Sequence, residues 1–331
     1  MNVDPSIATR SLAPDESTRT CPSCGCAAGD LLLRSNNGYS IVRCSRCRLA
    51  FTDLSGAPSP SSLYPQFDQS DALVQRLMRR CLGVFVRQRE SIVRDVKKRG
   101  RLLDFGCGNG GFARWMADAG YDVVGLEPFS LGHPVERSHL LLIREPLESA
   151  KPRLGRFDVI TLWHVLEHLP RPVEVLRTLS QLLAPDGVMI VSVPNFLSWQ
   201  SLFFGGGWFH LDPPRHIVHF EARTLENALH EAGLRVDRRW NFLPEYGSSG
   251  WVQSSLNRLL PHQNYLYEIV KDRGALKTLG VAQHALHLAA SAVASAPLLA
   301  LSTPVELCAS ALHRGAALTF AAVLGADYDT L

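Results

Sequence analysis

Charge of either sign is never concentrated in these 331 residues: Lys and Arg number 34, Asp and Glu 31, for a formal net charge of +3. That balance gives no electrostatic footprint for nucleic acid, and no nucleic-acid partner is expected. A basic segment leading into an apolar core is missing after Met1, so no secretory leader is expected. The expected compartment is the cytoplasm, either free or peripheral at the inner face of the membrane. No internal repeat is visible. A disulfide framework lacks its usual context, because four of the eight cysteines sit in two CxxC pairs, which in a reducing compartment read as metal ligands or redox groups. Finally, Asp, Glu, Lys and Arg are all absent from Thr278 to Val305.

What is present fits a globular chain of one large domain with appendages: 46% of residues are apolar and 20% charged. Residues 1–20 are polar, with little to bury, and read as a disordered tail. Residues 21–55 carry the cysteine pairs. Residues 56–100 combine a Gly/Pro/Ser linker with a helix, where apolar residues recur at helical spacing from Asp71 to Arg99. From 101 to 248, strands alternate with helices. Arg101–Phe105, Tyr121–Glu127, His139–Ile143, Phe157–Trp163, Val188–Val193 and Leu234–Phe242 read as strands; Gly111–Gly120, Pro170–Leu183 and Arg223–Ala232 read as helices. This alternation predicts an α/β, doubly wound, mostly parallel sheet. Residues 249–314 read as a helical insertion, and 315–331 as a last core strand and tail.

The first strand of the core runs into Asp104-Phe105-Gly106-Cys107-Gly108-Asn109-Gly110-Gly111, which opens a helix. Glycines permit a sharp turn and close passage of backbone along a ligand, and helix N-terminal amides then point at it. The pattern also satisfies GxGxxG, which alone is a weak dinucleotide signal. The acidic Asp104 before the first glycine suits a cationic amino-acid ligand better than a pyrophosphate, which favours S-adenosylmethionine. Glu127, at the end of the second strand, is placed to accept from ribose hydroxyls.

Phe157-Asp-Val-Ile-Thr-Leu-Trp-His-Val-Leu-Glu-His-Leu-Pro170, with Leu182-Leu-Ala-Pro-Asp-Gly187 and Ser192-Val-Pro-Asn195, resembles the class I methyltransferases related to the ubiquinone O-methyltransferases. Trp208 to Phe220 resembles a bacterial subgroup in which a cysteine-rich ribbon precedes the catalytic domain. The resemblance covers about residues 20–325. It implies a Rossmann-like sheet of seven strands, the last antiparallel, and S-adenosylmethionine held by Asp104, Phe105, Gly106, Cys107, Gly108, Gly110, Glu127, Pro128, Trp163 and His164. The segment between Glu127 and His139 departs from the pattern, because the helix expected there looks shortened.

Methyl transfer needs an aligned acceptor and, for a hydroxyl, a base; histidine is the usual choice. His164 and His168 follow the fourth strand; His216 and His219 follow the fifth, in a loop stiffened by Asp212-Pro-Pro-Arg215. A structural role for each remains open. His164 to His168 also spells HxxEH, a zinc-protease pattern rejected here because it follows a strand end. Gly205-Gly-Gly207 is a candidate hinge for a lid. Cys21, Cys24, Cys44 and Cys47, spaced as two CxxC pairs, predict a four-thiolate structural Zn2+ site. The uncharged stretch, interrupted by Pro297 and Pro304, is expected as a helical pair within 249–314, buried, dimer-forming or in contact with a membrane. The acceptor is expected to be small or carrier-linked: a sugar, a phenol or a natural-product intermediate. The alternative function is a non-catalytic, S-adenosylmethionine-binding regulatory module.

Overall fold

The computed structural model describes residues 20–27, 29–55, 72–128, 135–271 and 279–325. The polar tail, apart from Thr20, and the Gly/Pro/Ser linker lie outside the described residues.

Two sheets organise the chain. The small one begins with an antiparallel meander of β1 (Gly29–Arg34), β2 (Ser40–Cys44) and β3 (Ala50–Thr52). The large one takes β4 (Arg101–Phe105), β5 (Asp122–Leu126), β6 (Val135–Arg137), β7 (Leu140–Ile143), β8 (Phe157–Trp163) and β9 (Leu183–Pro194). A two-residue strand, β10 (Val218–His219), returns to the small sheet, and β11 (Leu234–Trp240) and β12 (Ala317–Leu324) complete the large one. The large sheet has the order β11-β12-β9-β8-β4-β5-β7-β6. β5, β4, β8, β9 and β7 run parallel, and β12 lies antiparallel between β9 and β11. The seven expected strands are therefore present with their antiparallel last member. An eighth, β6, pairs antiparallel with β7 in the segment after Glu127 that departs from the family pattern.

Both faces of this sheet are covered, which is why its strands read as continuous apolar runs rather than alternating ones. Leu103, Phe105 and Val124 enter one core layer and Leu102 and Val123 the other, following the two-residue period of a strand. The second layer is closed by α1 (Ala72–Val96), through Ile92 and Val93, and by α2 (Gly111–Asp118), through Phe112, Ala113 and Met116. The first is closed by α3 (Leu147–Leu154) and α4 (Pro172–Ser180). β9 begins five residues ahead of Val188, because Phe157 pairs with Leu183 and Val159 with Val188, leaving the Pro185–Gly187 turn as an irregularity within one strand.

The cysteine ribbon is not a separate body. Val218 and His219 of β10 pair with Phe51 and Ala50 of β3. Cys21, Val42, Cys44, Leu49 and Phe51 share a core layer with Val218 and Phe220. After β9, α5 (Trp199–Phe204) leads to the glycine run named above as a candidate hinge. The Gly206 carbonyl accepts from Asn36 N at 3.0 Å, and a Cβ there would collide with the Arg34 carbonyl, so this run is a close approach of two backbones.

α6 (Ala222–Glu231) precedes β11, and α7 (Ser248–Leu259), α8 (Tyr265–Lys271) and α9 (Val281–Ala311) precede β12. The expected helical pair over the uncharged stretch is instead one 31-residue helix, with Pro297 and Pro304 inside it. A proline removes one amide donor and crowds the preceding turn. Beside Pro304 the hydroxyls of Ser302 and Thr303 donate to the Leu299 carbonyl, at 3.3 and 2.7 Å, and keep that turn hydrogen-bonded.

Candidate active site

The functional groups gather at the carboxyl ends of β4, β5, β8 and β9, where the strand order reverses direction and parallel sheets place ligands. Asp104 lies inside β4, 3% exposed, and accepts from Thr161 Oγ1 of the neighbouring β8 at 3.0 Å. Burial lifts its carboxyl to about 7. Beyond it the loop passes through three left-handed glycines, each with a different reason to lack a side chain. A Cβ on Gly106 (φ 74°) would strike Val165, and one on Gly110 (φ 77°) would meet Leu142 Cδ1 at 2.7 Å. A Cβ on Gly108 (φ 54°) would meet no protein atom within 4 Å, so this glycine leaves room beside the backbone.

Glu127, just past β5, accepts from the Gly108 amide at 3.1 Å through Oε2. Glu127 and the glycine loop are thus joined by a hydrogen bond. Arg144, just past β7, donates to the Gly108 carbonyl at 2.5 Å and lies 3.9 Å from the Cys107 sulfur. It had no sequence signal, because nothing in an apolar strand end marks which following residue turns inward. Phe105 and Cys107 are buried and Pro128 half-buried beside the loop. Trp163 closes the other side, edge-on to Phe112 at 5.8 Å and beneath the Arg89 guanidinium at 5.2 Å.

A second constellation adjoins the first, since Val165 is the residue that Gly106 abuts. His164 holds a left-handed backbone (φ 55°), uncommon for a residue with a Cβ. Its ring stacks on Tyr246, with centroids 3.4 Å apart and planes at 12°. Its Nε2 is 3.3 Å from Ser192 Oγ and its Nδ1 is 3.4 Å from Glu167 Oε1, too poorly aligned for a hydrogen bond. Glu167 is 1% exposed, and neither carboxylate oxygen has a hydrogen-bond partner among the described residues. Burial lifts this carboxyl to about 8. A buried carboxyl without a hydrogen bond is costly, which sets Glu167 apart from the rest of the core.

His168 and His216 meet edge-to-face, 4.7 Å apart. Their Nδ1 atoms bond the carbonyls of Arg215 (2.9 Å) and His210 (2.8 Å), which makes Nδ1–H the donor and Nε2 the basic nitrogen in each ring. Burial holds His168 and His210 down to about 4 and His216 well below the usual histidine range, so all are neutral at pH 7. Glu167, His168 and His216 offer ligand atoms within 4.8 Å of one another, a set that can also hold a divalent ion. The structure therefore unites His164, His168 and His216. His219 lies apart: its Nε2 is 2.9 Å from Thr52 Oγ1 of the ribbon, and burial lowers it to about 3. Tyr246 and His210 complete the cluster. Tyr246 comes from an irregular loop, where no periodicity singles it out.

In the ribbon, Cys21, Cys24, Cys44 and Cys47 hold their sulfurs within 4.8 Å of one another, with Cys21–Cys47 at 3.4 Å and Cys24–Cys44 at 3.5 Å. A tetrahedron with zinc–sulfur bonds of about 2.3 Å has edges of about 3.8 Å, so the four-thiolate set fits such an ion.

Residues 75–238, about half of the chain, match a family described as a methyltransferase domain. The ubiquinone biosynthesis O-methyltransferase of Yersinia enterocolitica serotype O:8 / biotype 1B is 36% identical over 119 residues, 34% of this chain and 48% of that protein. That of Pectobacterium carotovorum subsp. carotovorum is 35% identical over 125 residues, 35% of this chain and 52% of that protein. The chain thus spans about half the length of the curated relatives it matches. A solved S-adenosylmethionine dependent methyltransferase from Mesorhizobium loti aligns with 69% of this chain and 92% of its own, at 18% identity and a TM-score of 0.39. The doubly wound sheet and the glycine loop after its first core strand agree with the family match. Residues 75–238 belong to the methyltransferase-domain family.

Proposed function

We propose that this chain transfers a methyl group from S-adenosylmethionine to a hydroxyl of a small or carrier-linked acceptor, a phenol before a sugar. The observation that carries the reading is the contact of two halves: a glycine cradle with Glu127 and Asp104, and, one residue contact away, neutral histidines around an unpartnered Glu167. S-adenosylmethionine, when bound, supplies an electrophilic methyl group. Asp104, Gly106, Gly108 and Gly110 hold its amino-acid part, and Glu127 its ribose hydroxyls. Trp163, Phe112 and Tyr246 exclude water. The Nε2 of His168 or His216 takes the acceptor's proton, and Glu167 orients the acceptor hydroxyl. The relatives named for ubiquinone biosynthesis favour the phenol. Radiolabelled methyl donor, incubated with the full chain and phenolic or glycosidic acceptors, tests this. Tight donor binding with no transfer to any acceptor would instead favour the regulatory module.

Donor binding is expected to depend on pH. With Asp104 lifted to about 7 by burial, the empty site is protonated below that pH. A cationic donor favours the ionised carboxylate, so affinity rises with pH and levels off above about 7. Between pH 5.5 and 7 the gain is on the order of tenfold by proton linkage. Calorimetry on the wild type and Asp104→Asn measures it; a flat wild-type profile excludes this role for Asp104.

We further propose structural zinc in the ribbon. Thr52 links that ribbon to the active-site loop: its Oγ1 donates to the His216 carbonyl at 2.7 Å, and its amide donates to the Ile217 carbonyl at 2.9 Å. Elemental analysis is expected to find about one zinc per chain. Chelation is expected to speed hydrogen exchange in β3 and β10 together, because metal binding and folding are coupled. A metal-free native protein with protected β3 amides would overturn the proposal.

A further inference from the structure

We propose that α9 docks the protein on an anionic lipid bilayer, lying flat with its outward face in the interfacial region. The polarity of this helix is inverted. Its buried positions are His287, Ser291, Ser302, Glu306, Ala309 and Ser310, and its exposed ones are dominated by Leu, Val and Ala. Glu306, the one charged residue of α9, points inward, where it accepts from the Ala316 amide (2.7 Å), Trp251 Nε1 (2.9 Å) and Gln200 Nε2 (3.1 Å). Val293 and Leu301 stand 77% and 70% exposed. A surface helix in water shows the opposite arrangement.

The breadth of the exposed face selects the occupant. At 3.6 residues per turn, Leu286, Val293, Leu301, Val305 and Leu307 spread over about 160° of the helix, and the exposed Val281, Leu288 and Leu299 extend the apolar surface beyond that arc. A partner helix covers a narrower seam, whereas lipid conforms to the whole arc. The helix is about 46 Å long at 1.5 Å per residue, and its apolar character continues for that length. By length and composition it could cross a membrane. A span is disfavoured by the inward face, which packs on α7 through Ser302–Ser248 and Trp251–Glu306 contacts. Flat docking leaves that face on the protein. Charge agrees with an anionic surface: between Ser248 and Ala316 the sequence has five Lys or Arg against three acids, one of them the buried Glu306. Arg258 stands exposed near the end of α7, and His313 and Arg314 directly after α9.

The test is co-flotation of the full, zinc-loaded chain with phosphatidylcholine vesicles, with and without about a quarter phosphatidylglycerol. The chain is expected to float with the anionic vesicles and several-fold less with the neutral ones. Val293→Glu combined with Leu301→Glu is expected to cut vesicle partition by about tenfold or more. Both positions are solvent-facing, so S-adenosylmethionine affinity serves as the folding control, and its loss in the wild type would fail the methyltransferase reading without touching this one. A wild-type chain that floats with neither vesicle overturns the proposal. So does a dimer, seen by light scattering, that the same substitutions dissociate and vesicles do not compete with.

Discussion

Gly108→Leu is expected to abolish S-adenosylmethionine binding while leaving a folded protein; Gly106→Leu is expected to damage the fold itself. Both glycines have left-handed backbones, so both substitutions carry a strain of about 1–2 kcal/mol. The difference lies in what the new side chain meets. At Gly108 the new Cβ has no protein atom within 4 Å and points into the space proposed for the donor. At Gly106 it drives into Val165, between β8 and the Leu166–His168 turn, in a well-packed layer. Overpacking there adds typically 1–3 kcal/mol. For Gly108→Leu, calorimetry is expected to show a loss of affinity above about a hundredfold, with a melting temperature roughly 2–8 °C below wild type. For Gly106→Leu the melting temperature falls further than that. Retained donor affinity in Gly108→Leu would move the donor away from this loop.

This pair shows what the sequence could and could not say. The glycine motif located the loop, because Gly106, Gly108 and Gly110 follow a buried strand and open a helix. Which glycine faces the ligand and which faces protein depends on Val165 and Leu142, brought in from β8 and β7, and no local pattern contains that. The sheet itself was legible because β4, β5, β8 and β12 are short, mostly apolar runs, broken only by single residues such as Asp104, Asp158 and Thr319 and bounded by turns. β6 and β10 were not, being three and two residues long, too short for any period to register. With β10 went the docking of the ribbon beside the histidine loop. Pro297 and Pro304 were read as breaks, yet α9 runs through both. The histidines were visible as residues, but their neutral state follows from burial. Tyr246, the ring that stacks on His164, comes from a loop that carries no signal at all.

Replacing His168 or His216 by Gln is expected to lower turnover by about a hundredfold or more while donor affinity changes less than about threefold. The two rings share one arrangement, Nδ1 tied to a backbone carbonyl and Nε2 left as the basic nitrogen, that of His216 lying 4.0 Å from Asp212 Oδ2. Gln can still donate to the Arg215 or His210 carbonyl, so the loop keeps its bond while the basic nitrogen is lost. The loop is also held independently, by the Ile217 amide on the Glu167 carbonyl at 2.8 Å and by Thr52 on the His216 carbonyl. A fall in turnover with an unchanged melting temperature therefore reports chemistry. His219→Gln provides the contrast: its ring bonds Thr52 and lies beside Phe196 on the ribbon side, so its loss is expected to lower stability more than turnover. Glu167→Gln separates two roles for the carboxyl. If Glu167 orients the acceptor, the amide retains a donor and an acceptor and the loss falls mainly on the Michaelis constant. If it helps hold a divalent ion, turnover falls and added Mg2+ or Zn2+ no longer changes the wild-type-to-mutant ratio in the same way at low and saturating metal. Full turnover in both His168→Gln and His216→Gln would remove base catalysis from this cluster and leave alignment of the acceptor as its contribution.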